Sequence, residues 1–292
     1  MDALRTAWNR MSAADRLAVG YLIAAAVVLF AQIAVSGEPA SQAMIAVAGV
    51  LLISATALYP PRSASLRLVR ALYPLAFISI AYIHVGPFAH FIYGQGVNFD
   101  PLVAEWDRLV FGSNPHLWFH ELAPTRVVAE LMHFLYSLYF PLLLAGVLFI
   151  WLRRREEYTR YAFVFMGSFI TFVIVFALLP ASGPLEFRAE LFDGVVMSRF
   201  VDFLFDFGIP SVGGAFPSSH VGQSIVVLLL LRPLRRGPAL IIILVIAGIS
   251  VSMVYGAIHY AIDALAGIPS GIVLYYMWEW VYLRFVHDGS AA

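Results

Sequence analysis

Residues 239–255 read ALIIILVIAGISVSMVY, and this apolar stretch without a single charge decides the class of fold. A helix that crosses the hydrocarbon core of a bilayer needs about 20 predominantly apolar residues, or somewhat fewer where neighbouring helices cover it. The whole chain agrees with this stretch, because 61% of its 292 residues are hydrophobic and only 12% are charged. A soluble domain carries about 25% charged residues. We therefore predict an integral membrane protein.

Seven further apolar stretches give eight predicted transmembrane helices in an all-α helical bundle. They are Leu17–Val35, Ala43–Tyr59, Leu72–Ile92, Val127–Leu152, Tyr161–Leu179, Pro217–Leu231, Ala239–Tyr255 and Tyr260–Leu283. The third is expected to bend near Gly86–Pro87. The sixth is short, so its first turn should lie in protein rather than in lipid. We divide the chain into a two-helix hairpin (residues 1–66) and a six-helix catalytic core (residues 67–292).

The arginines predict the orientation of these helices in the membrane. With both termini in the cytoplasm, fourteen of the 18 basic residues fall on the inner side, and only Arg108, Arg126, Arg188 and Arg199 fall outside. A cleaved signal peptide is the alternative for the first span, but its apolar part is longer than the usual 7–15 residues. We therefore expect an uncleaved helix.

Composition excludes several kinds of chemistry. The chain has no cysteine, which removes disulfides, a thiolate nucleophile and cysteine-ligated metals. All 18 basic residues are arginine, so a Schiff-base or P-loop lysine is also excluded. Arginine in place of lysine hints at a GC-rich genome, and we predict a bacterial inner membrane, although a eukaryotic lumenal enzyme would have the same polarity. A formal net charge of zero provides no basic field for nucleic acid. The oligomeric state has no signature in the sequence.

Two outer loops, residues 93–126 and 180–216, are long, and function usually lies in such loops. Apolar residues recur at helical spacing in the first loop, at Phe99, Leu102, Val103, Trp106, Leu109 and Val110. They predict an interfacial helix that rests on the lipid surface, with Trp118 as an anchor. His116 and His120 have metal-ligand spacing in the same loop. We interpret this pair as packing and predict no metal site.

The segment Gly213-Gly214-Ala215-Phe216-Pro217-Ser218-Ser219-His220 opens the sixth predicted helix on the outer side. Its glycines free the backbone, Pro217 suits a first helical turn, and Ser218 or Ser219 can cap the helix. A helix N-terminus offers N–H groups and a positive dipole end to an anion. His220 adds a titratable proton beside this anion site. A capped helix with an interfacial histidine and no function would read the same way.

His259 and Asp263 stand four residues apart at the turn into the eighth helix, a spacing that places two side chains on one helical face. A carboxylate bonded to one ring nitrogen fixes the tautomer and leaves the other nitrogen free to attack or to abstract a proton. A mutually satisfied polar pair at the headgroup level is the alternative. An ionisable residue at the edge of a span is costly, however, and therefore indicates function.

Pro217-Ser218-Ser219-His220 followed by His259 and Asp263 resembles the paired signatures of the type 2 phosphatidic acid phosphatase superfamily. Its members attack phosphate esters with histidine and use neither metal nor cofactor. The resemblance implies that His259 attacks phosphorus to form a phosphohistidine and that Asp263 holds its ring. It also implies that His220 protonates the departing oxygen and then deprotonates the acceptor. Ser218 and Ser219 are predicted to bind the phosphoryl oxygens.

Three positions depart from the usual family pattern. Ser219 replaces a glycine, Ser252-Met253 replaces a Ser-Arg pair, and Leu179–Pro184 lacks the basic residue of an Arg-Pro motif. These departures, and the stretch Phe99–Pro115, resemble the inositol phosphorylceramide synthase-like branch. That branch implies transfer of a phosphoinositol-type headgroup to a lipid hydroxyl, as in sphingolipid metabolism. Arg188, the nearest basic residue after Pro184, is predicted to bind the phosphate instead of the missing arginines.

The predicted function is thus a membrane lipid phosphotransferase or phosphatase that acts on a phospholipid or lipid phosphate at the outer face. Water as the acceptor would make the protein a simple lipid-phosphate phosphatase. An intramembrane serine protease would pair Ser218 or Ser219 with His259, but the chain lacks a Gly-x-Ser-x-Gly turn there. A non-catalytic transporter would have polar residues near the midplane of the membrane, whereas here they cluster at one surface.

Overall fold

The computed structural model describes residues 8–36, 41–59, 62–207, 213–232, 234 and 236–287, which form helices and no strands. This confirms an all-α bundle. Six helical stretches are long and apolar enough to cross a membrane: Ala13–Ala34, Tyr73–Tyr93, Arg126–Arg153, Arg155–Leu178, Arg236–Tyr255 and Ala261–Val286. The second and sixth predicted spans are the shorter apolar helices Ser41–Ala57 and Ser219–Leu230. The chain is an integral membrane protein.

The described helices are named here in chain order. They are α1 (Ala13–Ser36), α2 (Ser41–Leu58), α3 (Ala64–Ala71), α4 (Tyr73–Ile83), α5 (Val85–Tyr93), α6 (Asp100–Phe111), α7 (Pro115–Trp118), α8 (Arg126–Ser137), α9 (Tyr139–Arg153), α10 (Tyr158–Leu178), α11 (Arg188–Leu191), α12 (Val196–Phe207), α13 (Ser219–Leu230), α14 (Arg236–Tyr255) and α15 (Ala261–Tyr282). Short 3₁₀ turns lie at Phe119–Leu122, Arg155–Glu157 and Leu185–Phe187, and a π turn follows α15 at Leu283–His287.

The third and fourth spans are each divided at a single residue, His84 and Leu138. The expected bend at Gly86–Pro87 therefore falls slightly earlier in the chain. In both spans a proline, Pro87 or Pro141, is the third residue of the helix that restarts. A proline in a first turn costs no helical hydrogen bond, because the N–H at that position would have no helical partner. The break precedes the proline for this reason.

Helix α10 lies at the centre of the bundle. It packs against six helices, α1, α4, α5, α9, α13 and α15. All of its phenylalanines are buried: Phe163, Phe165, Phe169, Phe172 and Phe176. Helices in a bilayer associate through close packing and not through the hydrophobic effect, since lipid is itself apolar. These rings therefore provide the contact surface for the helices around α10.

Helices α13 and α15 approach so closely that their backbones touch. A β-carbon on Gly271 would lie 2.4 Å from the carbonyl oxygen of Gly222, and one on Gly267 would lie 2.7 Å from that of Ser218. Small residues permit this kind of approach between membrane helices. The contact brings the first turns of the two helices together.

Those two first turns lie at the end of the bundle that also holds both long loops. Arg153 at the end of α9, Arg232 after α13 and Arg236 at the start of α14 lie at the opposite end. The predicted interfacial helix is α6, and the second loop contains a helix that was not predicted, α12. Residues 208–212 of that loop and both chain termini, whose cytoplasmic placement was predicted, lie outside the described residues.

Candidate active site

His259 and Asp263 are in contact, but not on one helical face as the spacing suggested. Helix α15 begins only at Ala261, because the Asp263 carboxylate caps it by accepting the N–H of Tyr260 at 2.9 Å. His259 precedes this cap, and its Nδ1 lies 3.1 Å from the same carboxylate oxygen, Oδ2. Both side chains are buried. The capping turn, and not helical periodicity, brings the pair together.

His220 completes a row of three side chains. It lies in the first turn of α13, and its Nδ1 is 3.4 Å from Nε2 of His259. On its other side, Nε2 of His220 lies 2.9 Å from the hydroxyl of Tyr136 on α8. If Nδ1 of His259 donates to Asp263, then Nε2 of His259 carries the lone pair, and Nδ1–H of His220 is the donor toward it. The attacking nitrogen expected of a nucleophile is thus directed at His220.

The segment before α13 has a backbone conformation that requires its two glycines. Gly213 and Gly214 have φ angles of 97° and 113°, which residues other than glycine rarely adopt. The helix begins at Ser219 with Ser218 as its N-cap. Pro217 therefore precedes the cap and does not lie in the first turn, which corrects the prediction.

The two predicted phosphate-binding serines differ in their surroundings. The Ser218 hydroxyl accepts the N–H of Val221 at 3.4 Å and donates to the sulfur of Met253 at 3.5 Å. Its own N–H donates to the Asp263 carbonyl at 3.0 Å. Ser218 is therefore a buried structural cap. Ser219, the first residue of the helix, presents the backbone N–H that the helix dipole directs toward an anion.

Arg188 is buried behind the turn that carries His259. Its guanidinium hydrogen-bonds to Asp202 (2.7 and 3.1 Å), to Ser198 (3.2 Å), to the carbonyl of Gly256, and to Nε2 of His133 at 3.5 Å. A guanidinium has five N–H donors, and these contacts engage all five. Direct phosphate binding, as predicted, would require Arg188 to exchange one of these bonds.

Helix α6 packs onto the site through two carboxylates. Asp107 is fully buried and accepts the N–H of Ala261 at 3.1 Å and that of Ile262 at 2.7 Å. Asp100, two helical turns earlier, accepts the N–H of Ser182 at 3.1 Å and that of Gly183 at 2.9 Å. The helix predicted to rest on lipid therefore holds two parts of the site together. Hydropathy cannot detect this, since an acidic residue on an amphipathic helix reads as solvent-exposed.

The other outer histidines take part in packing. The ring of His116 contacts the rings of Phe187 and Tyr260, with centroids 5.6 and 5.1 Å apart. His120 lies 6.4 Å from Phe192, also centroid to centroid. Within the described part of the chain, no three His, Cys, Asp or Glu side chains are grouped closely enough to hold a metal ion.

Burial sets the protonation states near the site. It lowers the pKa of His259 to about 4, against an opposing effect of hydrogen bonding to the Ala215 backbone. It also raises the pKa of the Asp107 carboxyl, although that group's two backbone hydrogen bonds act in the other direction. At neutral pH the His259 imidazole is therefore uncharged and retains a lone pair, as a nucleophile requires.

A membrane helix bundle that gathers two histidines and an aspartate at one end has the architecture of a membrane enzyme. The sequence profile described as the PAP2 superfamily matches residues 102–277 of this chain. The chain therefore belongs to the PAP2 superfamily, whose members are phosphatases and phosphotransferases, and it is a membrane protein of the lipid phosphatase type. Searches of curated proteins and of solved structures returned no significant match.

Proposed function

We propose that the chain transfers the phosphoryl group of a lipid substrate through a phosphohistidine on His259. The observation that carries this proposal is the hydrogen-bonded row of Asp263, His259 and His220, in which the free nitrogen of one histidine faces the other. Such a row suits a nucleophile, the group that orients it and a general acid–base on one reacting centre.

In the first half of the reaction, the Nε2 lone pair of His259 attacks phosphorus. The bond from phosphorus to the departing oxygen breaks, and its electron pair stays on that oxygen. Protonated His220 donates its Nδ1 proton to the departing oxygen, so that an alcohol leaves. Asp263 stabilises the positive charge that develops on the His259 ring. A positioned acid of this kind contributes roughly a hundredfold or more to the rate.

In the second half, the acceptor hydroxyl attacks the phosphohistidine, and neutral His220 takes its proton. The bond from phosphorus to Nε2 breaks, its electron pair returns to His259, and His220 is protonated again. The proton count is balanced over the cycle, because the proton given to the departing alcohol is replaced by the acceptor's. Water as the acceptor makes a phosphatase, and a lipid hydroxyl makes a phosphotransferase.

The phosphoryl oxygens would bind at the N-terminus of α13, where Ser219 and His220 present their backbone N–H groups and the helix dipole favours an anion. Arg188 is the first basic residue after Pro184 in the sequence, and its hydrogen bonds support a different role from the phosphate binding that was predicted. We propose that it positions the turn carrying His259 by holding the Gly256 carbonyl.

We further propose transfer of a phosphoinositol-type headgroup, as in the inositol phosphorylceramide synthase-like branch. The neutral pair Ser252 and Met253 supports this proposal, because Met253 contacts Ser218 where the phosphatases of the family carry an arginine. A site with fewer positive charges suits a phosphodiester, which carries one negative charge, better than a doubly charged monoester.

The test of the reaction uses purified protein in lipid bilayers with a substrate labelled at phosphorus. The label should become attached to the wild type in an acid-labile, alkali-stable form and should be absent from His259→Ala. A matched control, His90→Ala, removes a histidine on α5 and should retain the label. Loss of activity in Ser219→Ala but not in His259→Ala would instead support a serine hydrolase and would refute the proposal.

A second assay separates transfer from hydrolysis. The substrate is supplied with and without ceramide, and with phosphatidic acid as a competing monoester donor. Transfer predicts a phosphoinositol-containing lipid product that depends on the acceptor, whereas hydrolysis predicts free phosphate or a free phosphorylated headgroup. Production of free phosphate alone, unaffected by the lipid acceptor, would refute headgroup transfer while leaving the phosphohistidine intact.

We place the site on the periplasmic side of a bacterial inner membrane, on the strength of the arginine distribution. Because the chain has no native cysteine, single cysteines can report the sidedness directly. A membrane-impermeant thiol reagent added to intact cells should label Glu105→Cys on α6 and should not label Glu156→Cys at the other end of the bundle. The reverse pattern would contradict this orientation.

A further inference from the structure

His220 lies between two tyrosines of the fourth span. The Tyr136 hydroxyl is 2.9 Å from Nε2 of His220, and the ring centroids of the two residues are 5.1 Å apart. Tyr139 also packs on the ring, with centroids 4.5 Å apart. Both tyrosines are buried. The two therefore support the same imidazole, but the described hydrogen bond to its Nε2 comes from Tyr136.

The position of Tyr136 matters because a general acid–base must present the correct ring nitrogen. Nδ1 of His220 faces His259, and so it also faces the phosphorus that His259 would attack. If the proton of neutral His220 resided on Nδ1, that nitrogen could not accept the proton of the acceptor hydroxyl. The group bonded to Nε2 therefore determines the tautomer.

A tyrosine hydroxyl can both donate and accept a hydrogen bond. Toward neutral His220 it accepts the bond from Nε2–H, which keeps the remaining proton on Nε2 and leaves the lone pair of Nδ1 free. Toward protonated His220 it accepts the same bond, while the second proton resides on Nδ1. One hydroxyl can thus serve both states as the acceptor without ionising. Its burial favours this, because a phenolate would be costly there.

Resting on the proposed function, we propose that Tyr136 is a positioning residue that holds His220 with Nδ1 as its proton-exchanging nitrogen in both halves of the reaction. Tyr136 itself neither gains nor loses a proton in the cycle. The proton moves only among the departing oxygen, Nδ1 of His220 and the acceptor hydroxyl. Tyr139 supports the ring by packing.

The test compares Tyr136→Phe with Tyr139→Phe, which each remove one hydroxyl beside the same imidazole. Two phosphodiesters that differ only in the departing group are assayed: an alkyl ester, whose departing alkoxide needs a proton, and a nitrophenyl ester, whose departing phenolate does not. We measure kcat/KM, which reports steps up to the departure of the alcohol. Tyr136→Phe should lower it about 10- to 100-fold for the alkyl ester and less than about threefold for the nitrophenyl ester.

Tyr139→Phe should change kcat/KM for both esters by the same factor. An equal loss on both esters in Tyr136→Phe would assign Tyr136 a merely structural role and overturn the proposal, as would no loss on either. Should Tyr136→Phe fail to fold, fluorotyrosine at position 136 retains the shape of the ring. Its hydroxyl is a weaker acceptor, so only the alkyl-ester rate should fall, and unchanged rates on both esters would overturn the proposal.

Failure of the proposed function would be visible separately. Labelling of His259 in the wild type establishes the phosphohistidine before any tyrosine variant is assayed. If that label is absent, the proposed reaction fails whatever the variants do. If it is present and the leaving-group dependence of Tyr136→Phe matches that of the wild type, only the role of Tyr136 fails.

Discussion

The buried carboxylate of Asp107 lies 2.7 Å from the backbone nitrogen of Ile262, across 155 residues of sequence. It also accepts the N–H of Ala261, and so it caps the helix that carries Asp263. The first turn of α15 therefore has two carboxylates, one from its own chain segment and one from α6. The position of Asp263 therefore depends on α6, a helix that is far in sequence from the segments that carry His220 and His259.

Asp107→Ala should destabilise the protein and lower turnover. Loss of a helix cap costs about 0.5–2 kcal/mol, and here the freed N–H groups belong to the turn that orients His259. Asp107→Asn, which keeps one accepting oxygen, should lose less. The measurements are the thermal unfolding midpoint and kcat in bilayers. Glu105→Ala is the control, because its ion pair with Arg108 is about half exposed and should contribute little. Equal effects of Asp107→Ala and Glu105→Ala would contradict the capping role.

Gly271→Ala should separate α13 from α15 and reduce activity. Its new β-carbon would lie 2.4 Å from a backbone carbonyl that no rotamer change can move. Overpacking of this kind costs about 1–3 kcal/mol, and it would displace His220 from His259. Gly20→Ala on α1 is the matched control, since its β-carbon would meet no atom within 4 Å. The two variants are compared by unfolding midpoint and by phosphohistidine formation, and indistinguishable behaviour would exclude close packing as the cause.

Arg188→Ala should lower kcat more than it raises KM. As a positioning residue, Arg188 holds the Gly256 carbonyl before the His259 turn, so its loss disorders the nucleophile without removing a substrate contact. Direct phosphate binding predicts the opposite split, with a large rise in KM. Arg199→Ala on α12 is the control for loss of an outer positive charge. Steady-state kinetics with one phosphodiester distinguishes the two roles.

The pH dependence should reveal the buried nucleophile. Protonation removes the lone pair of His259, so activity is lost as the pH falls through its pKa. Since burial lowers that pKa to about 4, the acid limb of kcat/KM should lie well below the value of about 6.5 for an ordinary histidine. A phosphodiester is the substrate to use, because a monoester itself titrates near pH 6. An acid limb at or above 6.5 would show that His259 is not desolvated in the working enzyme.

Much of the fold follows from the sequence alone, because hydropathy and arginine placement depend on the bilayer and not on tertiary contacts. Those two signals predicted the positions of the spans. They also predicted that the segments carrying His220 and His259 lie at the same end of the bundle, and the described helices agree with both predictions. The short α13 was expected from the charge-free stretch after Val221. The breaks at His84 and Leu138 required knowledge of where a proline falls within a restarting helix.

The supporting residues could not be predicted in the same way. Asp107 reads as a polar position on a surface helix, and its burial depends on N–H donors far along the chain. Arg188 was predicted to bind the phosphate because it is the nearest basic residue after Pro184. Its ion-pair partner, Asp202, lies on α12, a helix that was not predicted. For Tyr136, helical periodicity can place the ring toward the bundle, but it cannot show what the hydroxyl contacts. The roles of His220, His259 and Asp263 remain predictions, although their proximity is a feature of the structure.

The central position of α10 makes the bundle sensitive to truncation of the chain from its N-terminal side. Three of the six helices that pack against α10, namely α1, α4 and α5, precede the PAP2 profile match, which begins at residue 102. A shortened chain that began at the match would lack half of the helices that pack against α10. Phenylalanine side chains of α10 would then contact lipid acyl chains instead of protein. The packed bundle of this molecule therefore requires a longer length of polypeptide than the profile match covers.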